Sequence, residues 1–331
     1  MFCFVLISPR IMFDNVLNSY LSIIFFIIFS VFNNKDNFFL MFKNIGEVKL
    51  YYLKTNYDSL AQQGSEAWLQ GRKTRFGGSE MGIINTTNKK RKKEITGFLQ
   101  NKVNGVFTSN LYCWWGTTFE VVAKSYLKYK YNWEIHEFGA IPSSEYPVAF
   151  SPDGLFIHSD GDLWLLEIKC PFLRNVVNET PISLDYHLQV QMGMTILPIE
   201  KCKFVQIKFR RCKSYHIGKE GKYSRDFHRE LKHAKEQKEL WYGAIYWETK
   251  DAVREDFDMN TKPTKIYTSF EEPKLYDICE NYNYGILMYF KCFFVQETLI
   301  PKDKRAIEKH NDNIWERYRQ LVDLKNKDHF N

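Results

Sequence analysis

Paired cysteines are missing from this chain. Its 331 residues include seven cysteines, each standing singly, with no C-x-x-C and no His/Cys spacing that would hold zinc. That pattern speaks against a zinc-ribbon or disulfide framework, and a reducing compartment is expected. A strong charge of either sign is missing too. The net charge of +7 is a modest excess that does not by itself indicate a polyanionic partner. Internal repeats and low-complexity tracts are absent, which excludes repeat architectures. The apolar run Leu21 to Phe32 (LSIIFFIIFSVF) falls short of the roughly 20 residues a membrane span requires. It also lacks the basic start and small-residue cleavage site of a signal peptide. The length suits one large domain with an appended helical region, or two small domains.

Residues 1–40 are set apart by their Phe, Ile, Leu and Asn content. They read as a membrane tether, a hydrophobic extension, or a translated leader upstream of the true start. Met41 opens a stretch that looks like the beginning of a domain, so a start there is favoured, with the tether second. The expected organisation is an extension at 1–40, a core at 41–250, and a mainly helical C-terminal region at 251–331 packed on the core.

What is present is concentrated between Ser151 and Pro171 (SPDGLFIHSDGDLWLLEIKCP). Leu163 to Ile168 reads as a buried strand, and the segment before it as its hairpin partner. Asp153, in the turn Pro152-Asp153-Gly154, would then face Glu167 at one sheet edge. Lys169 shares the face of Glu167 because strand side chains alternate. Two hard carboxylate oxygens and an ammonium suit Mg²⁺ and phosphodiester hydrolysis. A surface turn with a charged strand end is the plain alternative, and the pattern alone is common.

Other segments carry related signals. Trp115 to Glu120 opens a helical segment with Val121, Val122, Tyr126 and Leu127 at helical spacing. Glu120 in a first turn would complement the helix dipole or lean over a metal site. Trp68 and Arg72 lead into Phe76-Gly77-Gly78-Ser79, where Ser79 reads as an N-cap beside N–H groups free to take a phosphate. Asp185 to Met194 reads as a helix, with Tyr186 and Gln189 on one face.

Taken in order, W-x3-R-x6-S, W-G-x3-E, S-P-D-G, E-x-K-C-P and Y-x2-Q-x-Q, spread over residues 64–211, resemble the lambda-exonuclease or YqaJ-type viral recombinase family. These are PD-(D/E)xK nucleases carried by phages, prophages and large DNA viruses. The resemblance implies an α/β, restriction-endonuclease-like core, a central mixed sheet flanked by helices, with helical C-terminal additions. It implies that Asp153, Glu167 and the backbone carbonyl of Ile168 bind metal, with Glu120 as an outer or second-metal ligand. Lys169 acts on the attacking water and Gln189 approaches the scissile phosphate, with Tyr186 one turn earlier. Arg72 and Ser79 grip a terminal 5′-phosphate. Arg75 is an extra cation nearby without a counterpart, and Trp68 is either part of that pocket or core.

The implied cofactor is Mg²⁺, as two ions about 4 Å apart, with Mn²⁺ able to substitute. Metal cations crowding Lys169 would depress its pKa and favour alkaline activity. The implied function is 5′-to-3′ digestion of double-stranded DNA to 3′ single-stranded tails for viral recombination, replication or repair. The alternatives are an endonuclease with the same core, a catalytically inactive DNA-binding recombination scaffold, and an RNA-processing nuclease. A single-strand annealing protein and a ring-shaped homotrimer are the implied partners. The implied location is inside the host cell, in the nucleus or a cytoplasmic viral factory.

Basic residues cluster at Lys89 to Lys93 and again from Lys201 to Arg225, where nine Lys/Arg meet only Glu220. Either could line a duplex groove or simply be solvated. Toward the C-terminus, Cys202 to Arg210 alternates like a strand and Ser224 to Trp247 reads as a long helix. Thr249 to Lys274 reads as a linker, Gly285 to Val295 as buried, and Ala306 to Leu324 as an amphipathic helix.

Overall fold

Two sheets bring the sequence motifs to one place. In the computed structural model, residues 42–61, 64–105, 110–173, 181–217, 241–248, 263–268 and 285–328 are described. The helices α1 (Ile45–Tyr57) and α2 (Glu66–Arg72) come first, and Phe76–Gly77 (β1) follows. A 3₁₀ turn at Gly78–Glu80 runs into α3 (Met81–Ile84), and then α4 (Lys89–Asn104) and α5 (Leu111–Tyr131). Strands β2 (Ile141–Pro142), β3 (Val148–Phe150), β4 (Gly154–Ile157) and β5 (Leu163–Lys169) precede α6 (Leu184–Ile196). The chain continues through β6 (Lys201–Ile217), β7 (Trp241–Trp247), β8 (Lys265–Thr268) and β9 (Gly285–Pro301) to α7 (Lys304–Glu308) and α8 (Asn311–Asp328).

The main sheet has six strands in the order β4-β5-β6-β9-β7-β8. It is mixed, since β5 and β6 run parallel while the other neighbours run antiparallel. Parallel neighbours require a crossover, and α6 lies within it. The small sheet, β1-β3-β2, places β1 parallel to β3, with Phe76 opposite Val148 and Gly77 opposite Ala149. Their C-terminal ends therefore lie side by side. One leads to Ser79 and the other, through Ser151, to Asp153, so the two predicted halves of the site share an edge. The ring of Phe150 fixes the fit: a Cβ on Gly78 would stand 2.4 Å from it, and one on Gly193 of α6 2.5 Å.

Helix α5 covers one face of the large sheet, where Trp115, Phe119 and Val122 meet Phe209, Phe290 and Trp247. Helix α6 is buried between two clusters. Val190 and Met194 join Leu165 and Phe204, while Leu188 and Met192 join Met81, Leu99, Ile314 and Leu321. A helix apolar on both sides belongs in an interior, so the polar residues it carries inward need partners.

The predicted strand at Leu163 to Ile168 and the helices around Glu120 and Tyr186 are present, as is the mixed sheet flanked by helices. The C-terminal region departs from a mainly helical one. It ends in the helices α7 and α8 but first supplies β8 and β9, and β9 is an inner strand pairing with β6 along its length. Trp241–Trp247, read as the end of a long helix, is instead strand β7, hydrogen-bonded to β9 and β8. Lys265–Thr268, within the predicted linker, is strand β8. Residues 224–240, 249–262 and 269–274 of these predicted segments, and the whole of residues 1–41, lie outside the described residues. Among the described residues no helix is long and apolar enough to cross a membrane.

Candidate active site

The carboxylate pair comes from the β4–β5 hairpin. Its register sets Gly154 opposite Leu166, and one further step places Asp153 opposite Glu167. Gly154 is required there, because a Cβ would stand 2.4 Å from Ile135. Asp153 Oδ2 accepts the Ile168 N–H at 2.7 Å. In a strand the N–H and C=O of one residue point to the same edge, so the Ile168 carbonyl leaves β5 on the Asp153 side.

Glu167 is completely buried and Asp153 nearly so. Glu167 Oε1 accepts from Lys169 Nζ and, at 2.6 Å, from Gln189 Nε2. Its Oε2 is buried without a partner among the described residues, a costly condition for a carboxylate oxygen. Lys169 Nζ lies 5.2 Å from the centre of the Tyr186 ring, so Tyr186 and Glu167 bracket the ammonium. Gln189 and Gln191 on α6 divide their work. Gln191 holds the end of β9, donating to the Pro301 carbonyl at 2.9 Å and accepting the Asp303 N–H at 2.8 Å.

Glu120 sits midway along α5 rather than in a first turn, because the helix begins earlier, where Asn110 caps the N–H groups of Tyr112 and Cys113. Its carboxylate contacts Lys124 Nζ at 2.7 Å, and Lys124 also reaches Glu137 at 2.9 Å. Burial and then the charge of Asp153 push Glu120 up to about 7. Burial and then Asp153 push Glu167 up to about 8. For Lys169, without metal, burial works to lower the pKa, but Glu167 and Asp153 prevail and hold it above its ordinary value. The Cys170 thiol is buried and raised well above its usual range, in keeping with a packing role.

Among the described residues no three His, Cys, Asp or Glu side chains form a ready-made metal cage. The donors that do converge are hard oxygens, from Asp153, Glu167 and the Ile168 carbonyl. With an unpartnered carboxylate oxygen and mutually repelling charges, they fit a hard divalent cation. Glu120 is close enough for its charge to act on Glu167, which suits an outer ligand.

The second half of the site surrounds Arg72. Its Nη2 donates to Glu80 Oε1 at 2.9 Å, and its guanidinium carbon lies 4.8 Å from the Trp68 ring centre. Trp68 is not core: its Nε1 donates to Ser151 Oγ at 3.0 Å, joining this half to the Asp153 turn. A Cβ on Gly77 would lie 3.5 Å from Arg72 Nη2 and 3.7 Å from Ser79 Oγ, so these two groups meet over the bare Gly77 Cα. Ser79 is exposed and does not cap the turn. The Gly77 N–H is taken by Glu80 Oε2 at 2.7 Å. Arg75 points elsewhere, into a groove of about 230 Å³ shared with Tyr146, Trp315 and Tyr318.

Sequence reasoning missed Glu80, Lys102 and Lys124. The i,i+4 spacing of Glu120 and Lys124 was a usable signal; Lys102 gave none. Among the described residues, several of these basic side chains are paired within the fold. Lys201 binds Asp160, Lys203 binds Glu297, and Lys208 donates to the carbonyls of Pro171 and Phe172. Arg91, in the first basic run, reaches Asp185 at the start of α6. Residues 218–225 lie outside the described residues.

Several known proteins are similar to this chain. African swine fever virus protein D345L (isolate Tick/Malawi/Lil 20-1/1983) is 31% identical over 200 residues, covering 50% of this chain and 56% of D345L. The uncharacterized protein R354 of Acanthamoeba polyphaga mimivirus is 27% identical over 161 residues, covering 44% of this chain and 29% of R354. The chain thus spans about half the length of D345L and less of R354. Among solved structures, an alkaline exonuclease (LHK-Exo) from Laribacter hongkongensis matches with a TM-score of 0.45 and 16% identity, over 80% of this chain and 97% of its own. A phage-related exonuclease from Haemophilus somnus 129PT matches with a TM-score of 0.38 and 12% identity, over 75% of this chain and 95% of its own. The family model for the YqaJ-like viral recombinase domain matches residues 67–197, a span that holds both halves of the site. Over residues 67–197 this chain is similar to the YqaJ-like viral recombinase domain.

Proposed function

We propose that the chain is a divalent-metal-dependent deoxyribonuclease that degrades duplex DNA from 5′ ends and leaves 3′ single-stranded tails. The observation carrying this reading is Glu167: fully buried, opposite Asp153, with one oxygen held by Lys169 and Gln189 and the other unpartnered. Bound there, Mg²⁺ or Mn²⁺ would neutralise the carboxylates and supply a water of lowered pKa. Asp153, Glu167 and the Ile168 carbonyl would hold the ion, with Glu120 outside them. Lys169, an ammonium between Glu167 and the Tyr186 ring, donates to the attacking water and orients it. Gln189 fixes Glu167 and faces the scissile phosphate. As the water oxygen joins phosphorus, the P–O3′ bond breaks on the opposite side, the water's proton ends on O3′, and a 5′-mononucleotide leaves. Arg72 and Ser79 hold the terminal 5′-phosphate at the adjoining edge, which sets the direction of digestion.

The test is digestion of linear duplex DNA labelled at either end, in Mg²⁺, beside Asp153→Ala and closed-circular DNA. Mononucleotides released from 5′ ends by the native protein alone are the expected result. Cleavage of the circle would replace this reading with an endonuclease. No metal-dependent hydrolysis would leave a DNA-binding recombination scaffold.

A further inference from the structure

The pocket around Arg72 rests on a carboxylate that takes no part in the chemistry above. Three donors converge on Glu80: Arg72 Nη2 at 2.9 Å, the Gly77 N–H at 2.7 Å, and Lys102 Nζ at 3.0 and 2.7 Å from its two oxygens. The Lys102 side chain is only 5% exposed, and it reaches Glu80 from α4. Glu80 is thereby fixed from three directions. Arg72 is fixed in turn between Glu80 and the Trp68 face.

We propose that Glu80 is the positioning residue for end recognition: it holds the Arg72 guanidinium ready, over Gly77 and beside Ser79, for a terminal 5′-phosphate. The proposal rests on the exonuclease reading above. A guanidinium has five N–H donors, and the contact with Glu80 uses one on Nη2, leaving others for a phosphate. Two cations against one carboxylate leave the cluster a net positive charge, which favours a dianionic end over a hydroxyl end. Without Glu80 the long Arg72 side chain would have to be immobilised during binding, and affinity for the phosphorylated end would fall.

The test is the ratio of kcat/KM on 5′-phosphorylated and 5′-hydroxyl duplexes. Glu80→Gln is expected to reduce that ratio about 2- to 10-fold, chiefly by raising KM on phosphorylated ends. Since this variant strands the buried Lys102 ammonium, Glu80→Gln paired with Lys102→Met serves as the folded control and should lose the same discrimination. On an Arg72→Ala background the substitution at position 80 should add nothing, because Glu80 acts through Arg72. An equal loss of rate on both ends, with the ratio preserved, would reduce Glu80 to a structural residue and overturn the proposal. A native protein indifferent to the end phosphate would overturn it together with the pocket reading, while the Asp153→Ala comparison would still judge the hydrolytic site.

Discussion

Glu167, buried, and Glu80, half-buried, are both carboxylates paired to a lysine, yet the protein treats them in opposite ways. Burial pushes both upward. Around Glu167 the next influence is another carboxylate, Asp153, and its pKa rises to about 8 despite Lys169. Around Glu80 the next influences are Lys102 and Arg72, and its pKa ends below the ordinary carboxylate value. One region has negative charge in excess and an oxygen without a partner; the other has positive charge in excess and an arginine with donors to spare. The sign of the imbalance matches the sign of the ligand each would take, a metal cation in one and a phosphate in the other. Charge left unbalanced by folding is thus a readable mark of what a site awaits.

Activity should divide the two regions most sharply. Asp153→Asn or Glu167→Gln is expected to reduce DNA hydrolysis roughly 10³-fold on either kind of end. Arg72→Ala should cost about 10- to 100-fold, and only on phosphorylated ends. Steady-state kinetics on paired substrates measures both. If Arg72→Ala slowed both ends equally, the division of labour would be gone.

Stability should split the regions with opposite signs. Glu80→Gln removes one partner of a buried ion pair and is expected to cost about 3–5 kcal/mol at neutral pH. Glu167→Gln removes a buried charge that Asp153 and Glu120 repel, so the metal-free variant should melt above the native protein at alkaline pH. Chemical or thermal denaturation in chelator decides it, and two changes of the same sign would break the comparison.

The hairpin carrying Asp153 and Glu167 was legible because its order is local. A short turn joins two alternating strands, and register follows from the turn. Gln189 and Tyr186 were legible for a similar reason, since one helical turn fixes their shared face. The Glu80–Lys102 pair was not, because α4 brings Lys102 across 22 positions of sequence by packing alone. The start of α5 was misread because Trp115-Gly116 resembles a boundary, while Asn110, the actual cap, lies upstream. Strand β7 (WYGAIYW) was taken as helix although aromatic and β-branched residues favour strands. What makes it a strand is β9, its distant partner in sequence, and long-range pairing leaves little local trace.

Metal removal gives a further contrast. Folded Glu120 and Glu167 keep their protons to about 7 and about 8, whereas the ordinary value for a glutamate is 4.5. Between these limits the folded state binds more protons, so raising the pH favours unfolding. In chelator the melting temperature should therefore fall as pH rises from about 4.5 to about 8. Mg²⁺ should flatten that decline by neutralising the carboxylates. Glu80 contributes the reverse, a stability lost as pH falls below the ordinary carboxylate range. A melting temperature in chelator that held level across the upper window would show that burial and Asp153 do not raise Glu167 as inferred.

The smallest effect expected is at the seam between the two regions. Trp68 gives its face to Arg72 and its Nε1–H to Ser151 Oγ, two residues before Asp153. Trp68→Phe keeps a ring beneath the guanidinium but deletes the hydrogen bond, a loss of about 0.5–1.5 kcal/mol. If that bond aligns the end pocket with the carboxylates, kcat on phosphorylated ends should fall about 2- to 10-fold while binding of the end is kept. A change confined to KM would mean that Trp68 serves Arg72 alone, and that β1 and β3 align the two halves without it.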